Sequence, residues 1–214
     1  MLVAIPLFDR FTALDAVGPY EVLCRLPGTE VTFVGERVGP VRTDTGMLAL
    51  TIDSHIDEID AADVLLVPGG PGTRAMLEPG PLHAWVRRIH ETTQWTTSVC
   101  TGSLILGTAG VLQGLEATTH WAAMDELAPL CARTTHQRIV PQGKVVTAAG
   151  VSAGIDMALW LVGQIAGDVV AQAIQLGIEY DPQPPFDAGS PEKAGPDLVA
   201  LLRDLAIERP KAEA

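Results

Sequence analysis

Apolar residues along this chain fall into two rhythms, and the alternation of the two predicts its architecture. Residues 2–8 form an aliphatic run closed by Asp9-Arg10 and read as a buried strand. Residues 13–26 follow with the spacing of a helix. Asp15 lies in its first turn, and Pro19 is tolerable only near the start of such a helix. Residues 31–34 predict a second strand, and residues 42–51, turning at Asp44-Thr45-Gly46, a small β-excursion. The run at 63–67 is continuous and stops at Pro68-Gly69-Gly70-Pro71-Gly72. A helix over 81–91, a strand over 95–99 and a short apolar helix over 102–109 come next. Residues 122–128 predict a helix. Two strands, at 139–140 and 144–147, flank Pro141-Gln142-Gly143 as a hairpin, and helices follow at 151–165 and 168–179. Beyond Asp181 the chain carries Pro182, Pro184 and Pro185, then the pattern of a last helix around 196–208.

Strands that are apolar throughout and alternate with helices indicate an α/β protein, with a mainly parallel sheet covered by helices on both faces. No internal repeat or long low-complexity linker divides the chain. The expectation is one α/β domain over residues 1–186 and a C-terminal acidic extension over 187–214 with one helix.

Composition changes this picture little but removes several classes of function. A chain of 214 residues, 47% of them hydrophobic, can bury a core without disulfides or a structural metal. Acids outnumber bases 26 to 14, for a net charge of −12, and no basic stripe is present, so nucleic-acid binding is not expected. The acids Glu192, Asp197, Asp204, Glu208 and Glu213 collect in the extension and read as a solvated surface. Cys24, Cys100 and Cys131 form no CxxC pair, which argues against a metal site and suits a reducing, cytoplasmic compartment. The N-terminal run lacks a basic region and a cleavage site, so it is not read as a signal peptide. The apolar stretch at 150–167 is broken by Asp156 and Gln164 and reads as a buried helix, so no membrane partner is expected.

Candidate chemistry gathers at the carboxyl ends of the strands, where open α/β sheets bind ligands. In Ser98-Val99-Cys100-Thr101-Gly102-Ser103 an apolar strand runs into a cysteine and small residues follow at once, the pattern of a nucleophile elbow. The helix beyond Cys100 is expected to lower its pKa and so supply thiolate at neutral pH. Cys24 and Cys131 lack that context and read as small hydrophobes. Gly69 and Gly70 are either a plain turn or a pair of N–H groups aimed at a ligand, as in an oxyanion hole. Among the five histidines His120, in Thr118-Thr119-His120-Trp121, is the candidate general base, with a structural role as the alternative. His55, His83, His90 and His136 are placed on surfaces. Asp15, from its position alone, reads as a first-turn acid.

The elbow VCTGS, the preceding LLVPGGPG, the ATTHW run and the TAAGVSAGIDMAL stretch together resemble the ThiJ/PfpI superfamily, which is class I glutamine amidotransferase-like. The resemblance runs from the first strand to about residue 186. It implies a flavodoxin-like three-layer sandwich and a cysteine on a strained elbow. Within the superfamily the chain is most similar to the isonitrile hydratase group. Asp15, in FTALDAVGPYEVL, stands where other branches commonly have glutamate. Thr101 follows the nucleophile, where the peptidase-like branch has histidine. The EYDPQPPFDAGSP run is similar to the hydratase-like and regulator-like branch, and the chain ends too early for the regulators' added helix-turn-helix region.

The resemblance implies water addition to an isonitrile, giving an N-substituted formamide through a thioimidate on Cys100, without cofactor. Asp15 would move the protons. Thr101, Gly70, Gly69 and His120 would serve the substrate or intermediate. A homodimer acting on a small molecule is also implied. A glyoxalase- or deglycase-like enzyme for reactive carbonyls, and a cysteine redox or stress sensor without turnover, are the alternatives.

Overall fold

The computed structural model describes residues 1–208, of which 206–208 by backbone only. Its first half runs β1 (Leu2–Pro6), α1 (Ala13–Leu23), β2 (Glu30–Gly35), β3 (Gly39–Arg42), β4 (Ala49–Ile52), β5 (Ser54–His55), β6 (Val64–Val67) and α2 (Pro81–Thr92). The elbow region follows as β7 (Trp95–Val99), α3 (Gly102–Thr108), β8 (Glu116–Ala117), α4 (Met124–Leu127) and β9 (Arg133–Thr134). The chain continues through β10 (Ile139–Gln142), β11 (Val145–Ala148), α5 (Ala153–Ala166), α6 (Asp168–Gly177), α7 (Pro191–Ala194) and α8 (Pro196–Glu208).

Seven strands form the main sheet in the order β10-β11-β7-β6-β1-β2-β5. Every pair is parallel except β10 with β11, which are joined as the expected antiparallel hairpin. All four residues of β6 are buried, as a central strand covered on both faces requires. The helices supply that cover in two groups: α1 packs on α5 and α5 on α6, while α2 packs on α3. The flavodoxin-like α/β architecture read from the sequence is therefore the one observed. The excursion after β2 is the separate antiparallel pair β3–β4.

Three local departures have physical causes. Pro19 lies in the interior of α1 rather than near its start, removing one helical bond at a cost of about 3 kcal/mol in an exposed setting. Here the ring is buried against Gly154 of α5, where a Cβ would sit 3.0 Å from Pro19 Cγ, so packing offsets the loss. The helix expected at 122–128 is tighter and broken: a 3-10 turn at Trp121–Ala123, the single α-turn α4, and another 3-10 turn at Ala128–Leu130, where Pro129 has no N–H to continue. His83 is 4% exposed rather than on the surface, and its Nδ1 accepts the Gly80 N–H at the start of α2.

By its packing the chain divides into Met1–Glu179 and the residues from Tyr180 onward. In the second unit Ser190 caps α7 by accepting the Lys193 N–H, and α7 packs on α8. Glu213 of the acidic extension lies outside the described residues. No helix among the described residues is long and apolar enough to cross a membrane.

Candidate active site

The elbow is built by backbone strain and by the absence of side chains around it. Cys100 follows β7 with φ 55°, a left-handed conformation that costs a non-glycine residue about 1–2 kcal/mol. The neighbourhood over-determines it. The Cys100 N–H is shared by the carbonyls of Ala148 and Ala149 at 3.1 and 3.0 Å. Its carbonyl accepts from Ser103 Oγ at 3.2 Å and from Thr119 Oγ1 at 3.0 Å. Gly102 lies against the end of β6: a Cβ there would come within 2.1 Å of the Val67 carbonyl oxygen. Glycine is therefore obligatory two positions after Cys100.

The glycines after β6 serve the same closeness. A Cβ on Gly69 would lie 2.5 Å from the Thr101 nitrogen, and one on Gly70 2.6 Å from the Arg10 carbonyl. Gly70 also takes φ 138°, open in practice only to glycine. The N–H of Gly69 donates to Asp15 Oδ2 at 2.9 Å, and that of Gly70 to Thr101 Oγ1 at 2.9 Å. The Thr101 hydroxyl in turn donates to the Gly70 carbonyl at 3.1 Å. Both glycine N–H groups thus hold protein side chains, one Asp15 and the other Thr101 beside Cys100.

Asp15 projects from the first turn of α1 but does not cap it. Thr12 occupies the N-cap position, and the Asp15 carboxyl, wholly buried, reaches across to the end of β6. Its Oδ1 meets no N–H or O–H donor among the described residues, and the carboxyl faces the Cys100 thiol. Burial raises the Asp15 pKa from an ordinary 3.8 to about 7, helped by the charge of Asp44 and opposed by the bonds from Gly69 and Cys100.

Burial also pushes the Cys100 thiol up to about 12, and the neighbouring Asp15 charge adds to the rise. This corrects the expectation of a lowered pKa. The N–H groups of Val151 and of Thr101, the residue leading into α3, do meet the sulfur and favour thiolate, but desolvation and Asp15 outweigh them. At neutral pH the site holds a thiol facing a carboxyl near its own midpoint. The two titrations are one coupled event.

His120 stands at the same end of the sheet. Its ring packs on Gly150, where a Cβ would be 2.7 Å from His120 Cδ2, immediately before Val151. Its Nδ1 accepts the Ala122 N–H at 3.3 Å, so one ring nitrogen is already used as a cap. Burial, then the Arg74 charge, lowers its pKa.

Sequence reasoning gave no role to three groups in this site. Val151, itself at φ 27°, supplies a backbone N–H to the sulfur, which no side-chain pattern announces. Thr119 holds the Cys100 carbonyl, and Arg74 reaches the segment after His120 through Glu126 at 3.2 Å. A cavity of about 570 Å³ lies elsewhere, at the ends of β1 and β2, between Leu7, Phe8, Arg37, Val41, Ile52 and Leu82; neither Cys100 nor Asp15 lines it. Among the described residues no cluster of His, Cys, Asp and Glu is placed to hold a metal ion.

Known proteins resemble this chain along most of its length. Residues 1–164 match the DJ-1/PfpI family. An isonitrile hydratase of Pseudomonas putida is 43% identical over 200 residues, covering 94% of this chain and 87% of that protein. The crystal structure of a ThiJ/PfpI family protein from Pseudomonas syringae superposes with a TM-score of 0.92 at 35% identity, covering 97% of this chain and 86% of that one. The HTH-type transcriptional regulator CdhR of Pseudomonas aeruginosa is 32% identical over 136 residues, 62% of this chain but 40% of the regulator.

Proposed function

The chain belongs to the DJ-1/PfpI family, and on that premise we propose that it is an isonitrile hydratase working through Cys100. The observation that carries the reading is the buried Asp15–Cys100 pair, a thiol facing a carboxyl whose pKa is near 7. Hydration of R–N≡C needs a nucleophile at the terminal carbon and a proton at the same atom. A thiol and an acid/base group in contact supply both. The likeness to the hydratase of Pseudomonas putida supports the same reading.

The steps follow from that pair. Asp15 takes the thiol proton as sulfur bonds to the terminal carbon, then delivers it to that carbon, giving R–N=CH–S–Cys100. Asp15 next accepts a proton from water as the oxygen adds to the same carbon, and passes a proton to nitrogen. The resulting R–NH–CH(OH)–S–Cys100 collapses: the hydroxyl gives up its proton, the C–S bond breaks, and the sulfur is reprotonated as R–NH–CHO leaves. One difficult addition becomes two easier ones. Thr101 and Gly70 keep the elbow in register, and Gly69 holds Asp15.

The test is formamide release from cyclohexyl isonitrile by the full-length protein, run beside methylglyoxal consumption. Formamide from the wild type and none from Cys100→Ala is expected. A wild type that consumes methylglyoxal but makes no formamide refutes the assignment in favour of a glyoxalase-like enzyme. A wild type with no formamide and no methylglyoxal consumption, but ready oxidation at Cys100, would favour the sensor reading instead. The reading includes a cofactor-free cytoplasmic homodimer.

A further inference from the structure

Thr12 stands at the N-cap position of α1, yet its hydroxyl accepts from no N–H of that helix. A threonine there ordinarily accepts from the first turn. Its Oγ1 donates instead to Asp44 Oδ2 at 3.0 Å, 32 positions away in the turn between β3 and β4. The Asp44 N–H donates to the Phe11 carbonyl at 2.9 Å, and the Arg10 N–H to the Arg42 carbonyl at 3.0 Å. The end of β3 and this turn therefore run beside residues 10–12, where Phe11 and Thr43 form an isolated parallel bridge. The glycine loop after β6 grips the same segment. There the Thr12 N–H donates to the Gly69 carbonyl at 2.8 Å, and the Gly72 N–H to the Arg10 carbonyl at 3.2 Å.

These bonds form one chain that ends on the catalytic pair. Asp44 holds the Thr12 hydroxyl, the Thr12 N–H holds the Gly69 carbonyl, and the Gly69 N–H holds Asp15 Oδ2 at 2.9 Å. The pieces leave little slack. A Cβ on Gly70 would lie 2.5 Å from the Thr12 nitrogen, and one on Gly69 2.9 Å from Asp15 Oδ2.

We propose that Asp44 is a positioning residue of the Cys100 site, holding the Asp15 carboxyl in place through Thr12 and Gly69 and setting a second negative charge beside it. It touches neither substrate nor thiol. The proposal rests on the hydratase reading for its turnover, but not for the behaviour of Asp15.

The charge gives this clamp a signature that a purely structural bond lacks. Asp15 is met by the Cys100 thiol from the elbow, the Gly69 N–H from the loop and the Asp44 charge from the β3–β4 turn. Within that turn the other Asp44 oxygen accepts the Thr45 N–H at 2.9 Å, and Arg42 donates to the Gly46 carbonyl. No ion pair neutralises Asp44 among the described residues. Removing its charge should therefore lower the Asp15 midpoint from about 7, since a repelling anion is gone while burial stays.

Two variants separate clamp from charge. Asp44→Asn keeps an oxygen for the Thr12 hydroxyl and loses the charge, whereas Asp44→Ala loses both. Carbon NMR of the labelled full-length protein follows the Asp15 carboxyl through a pH titration, its signal assigned by loss in Asp15→Asn. The midpoint is expected at lower pH in Asp44→Asn than in wild type, and an unmoved midpoint overturns the proposal. Should Asp44→Ala not fold, this measurement alone decides.

Turnover of cyclohexyl isonitrile supplies the second readout. Asp44→Ala should lose about a hundredfold in kcat with KM little changed, the cost of misplacing a reacting group by about 1 Å. Asp44→Asn should keep most of its kcat, with the acid limb of kcat/KM at lower pH than in wild type. Normal turnover in Asp44→Ala, an Asp44→Asn equally slow, or a loss carried by KM overturns the positioning role. A wild type that makes no formamide overturns the hydratase reading instead, and the carboxyl titration, which needs no substrate, then decides on Asp44.

Discussion

Replacing Asp15 by asparagine should make the protein more stable as the pH rises, while abolishing its chemistry. The buried carboxyl has its pKa raised from 3.8 to about 7, so the folded state holds a proton that the unfolded chain has already lost. Below about pH 4 both states are protonated and the group costs nothing. Between about pH 4 and 7 unfolding releases a proton, and stability falls with rising pH by about 1.4 kcal/mol per pH step. Above about pH 7 the folded carboxylate bears the whole penalty, about 4 kcal/mol over this range. Asparagine has the shape and still accepts from the Gly69 N–H, but it never ionises. Urea unfolding of both proteins from about pH 4 to 8 should show the variant gaining about 4 kcal/mol on the wild type across that interval. Parallel curves, or a wild type that gains on the variant as pH rises, would refute the burial argument. Turnover in Asp15→Asn should drop by about 10²–10⁴-fold, the usual worth of a positioned acid/base group.

Other consequences follow from the same geometry. On the proposed mechanism Asp15 must be a carboxylate to accept the thiol proton, so kcat/KM should fall on the acid side with a midpoint at about 7, and a flat profile down to about pH 5 would contradict it. Thr101→Val strands the buried Gly70 N–H, and a loss of about 1–3 kcal/mol in denaturant unfolding is expected; no loss would mean the clasp is idle. Light scattering should return the mass of two chains, and a monomer at working concentration would reject the homodimer.

The elements were legible because their periodicities are unambiguous. The strand read at 95–99 is β7, Trp95–Val99, and the hairpin around Pro141-Gln142-Gly143 is β10–β11. Where the reading slipped, a tertiary contact had decided. Pro19 is unremarkable inside α1 once Gly154 makes room for it, and no local rule foresees that. His83 is buried although its helix face carries charged neighbours, because its Nδ1 is used to close the start of α2. The Val151 N–H on the sulfur belongs to the backbone, so side-chain identity carries no trace of it.

By itself the sequence determined the strands, a mainly parallel sheet and the elbow at Cys100, since these follow from short-range pattern and from small residues at fixed offsets. The state of that cysteine was decided only in three dimensions. Local reasoning saw a helix start and expected thiolate. The folded chain brings Asp15, 85 positions away in sequence by the difference of the two residue numbers, into contact with the sulfur and removes water from both. Desolvation depends on everything packed around a group, whereas a helix terminus is a local feature. The larger effect was therefore the one that only the tertiary structure could set.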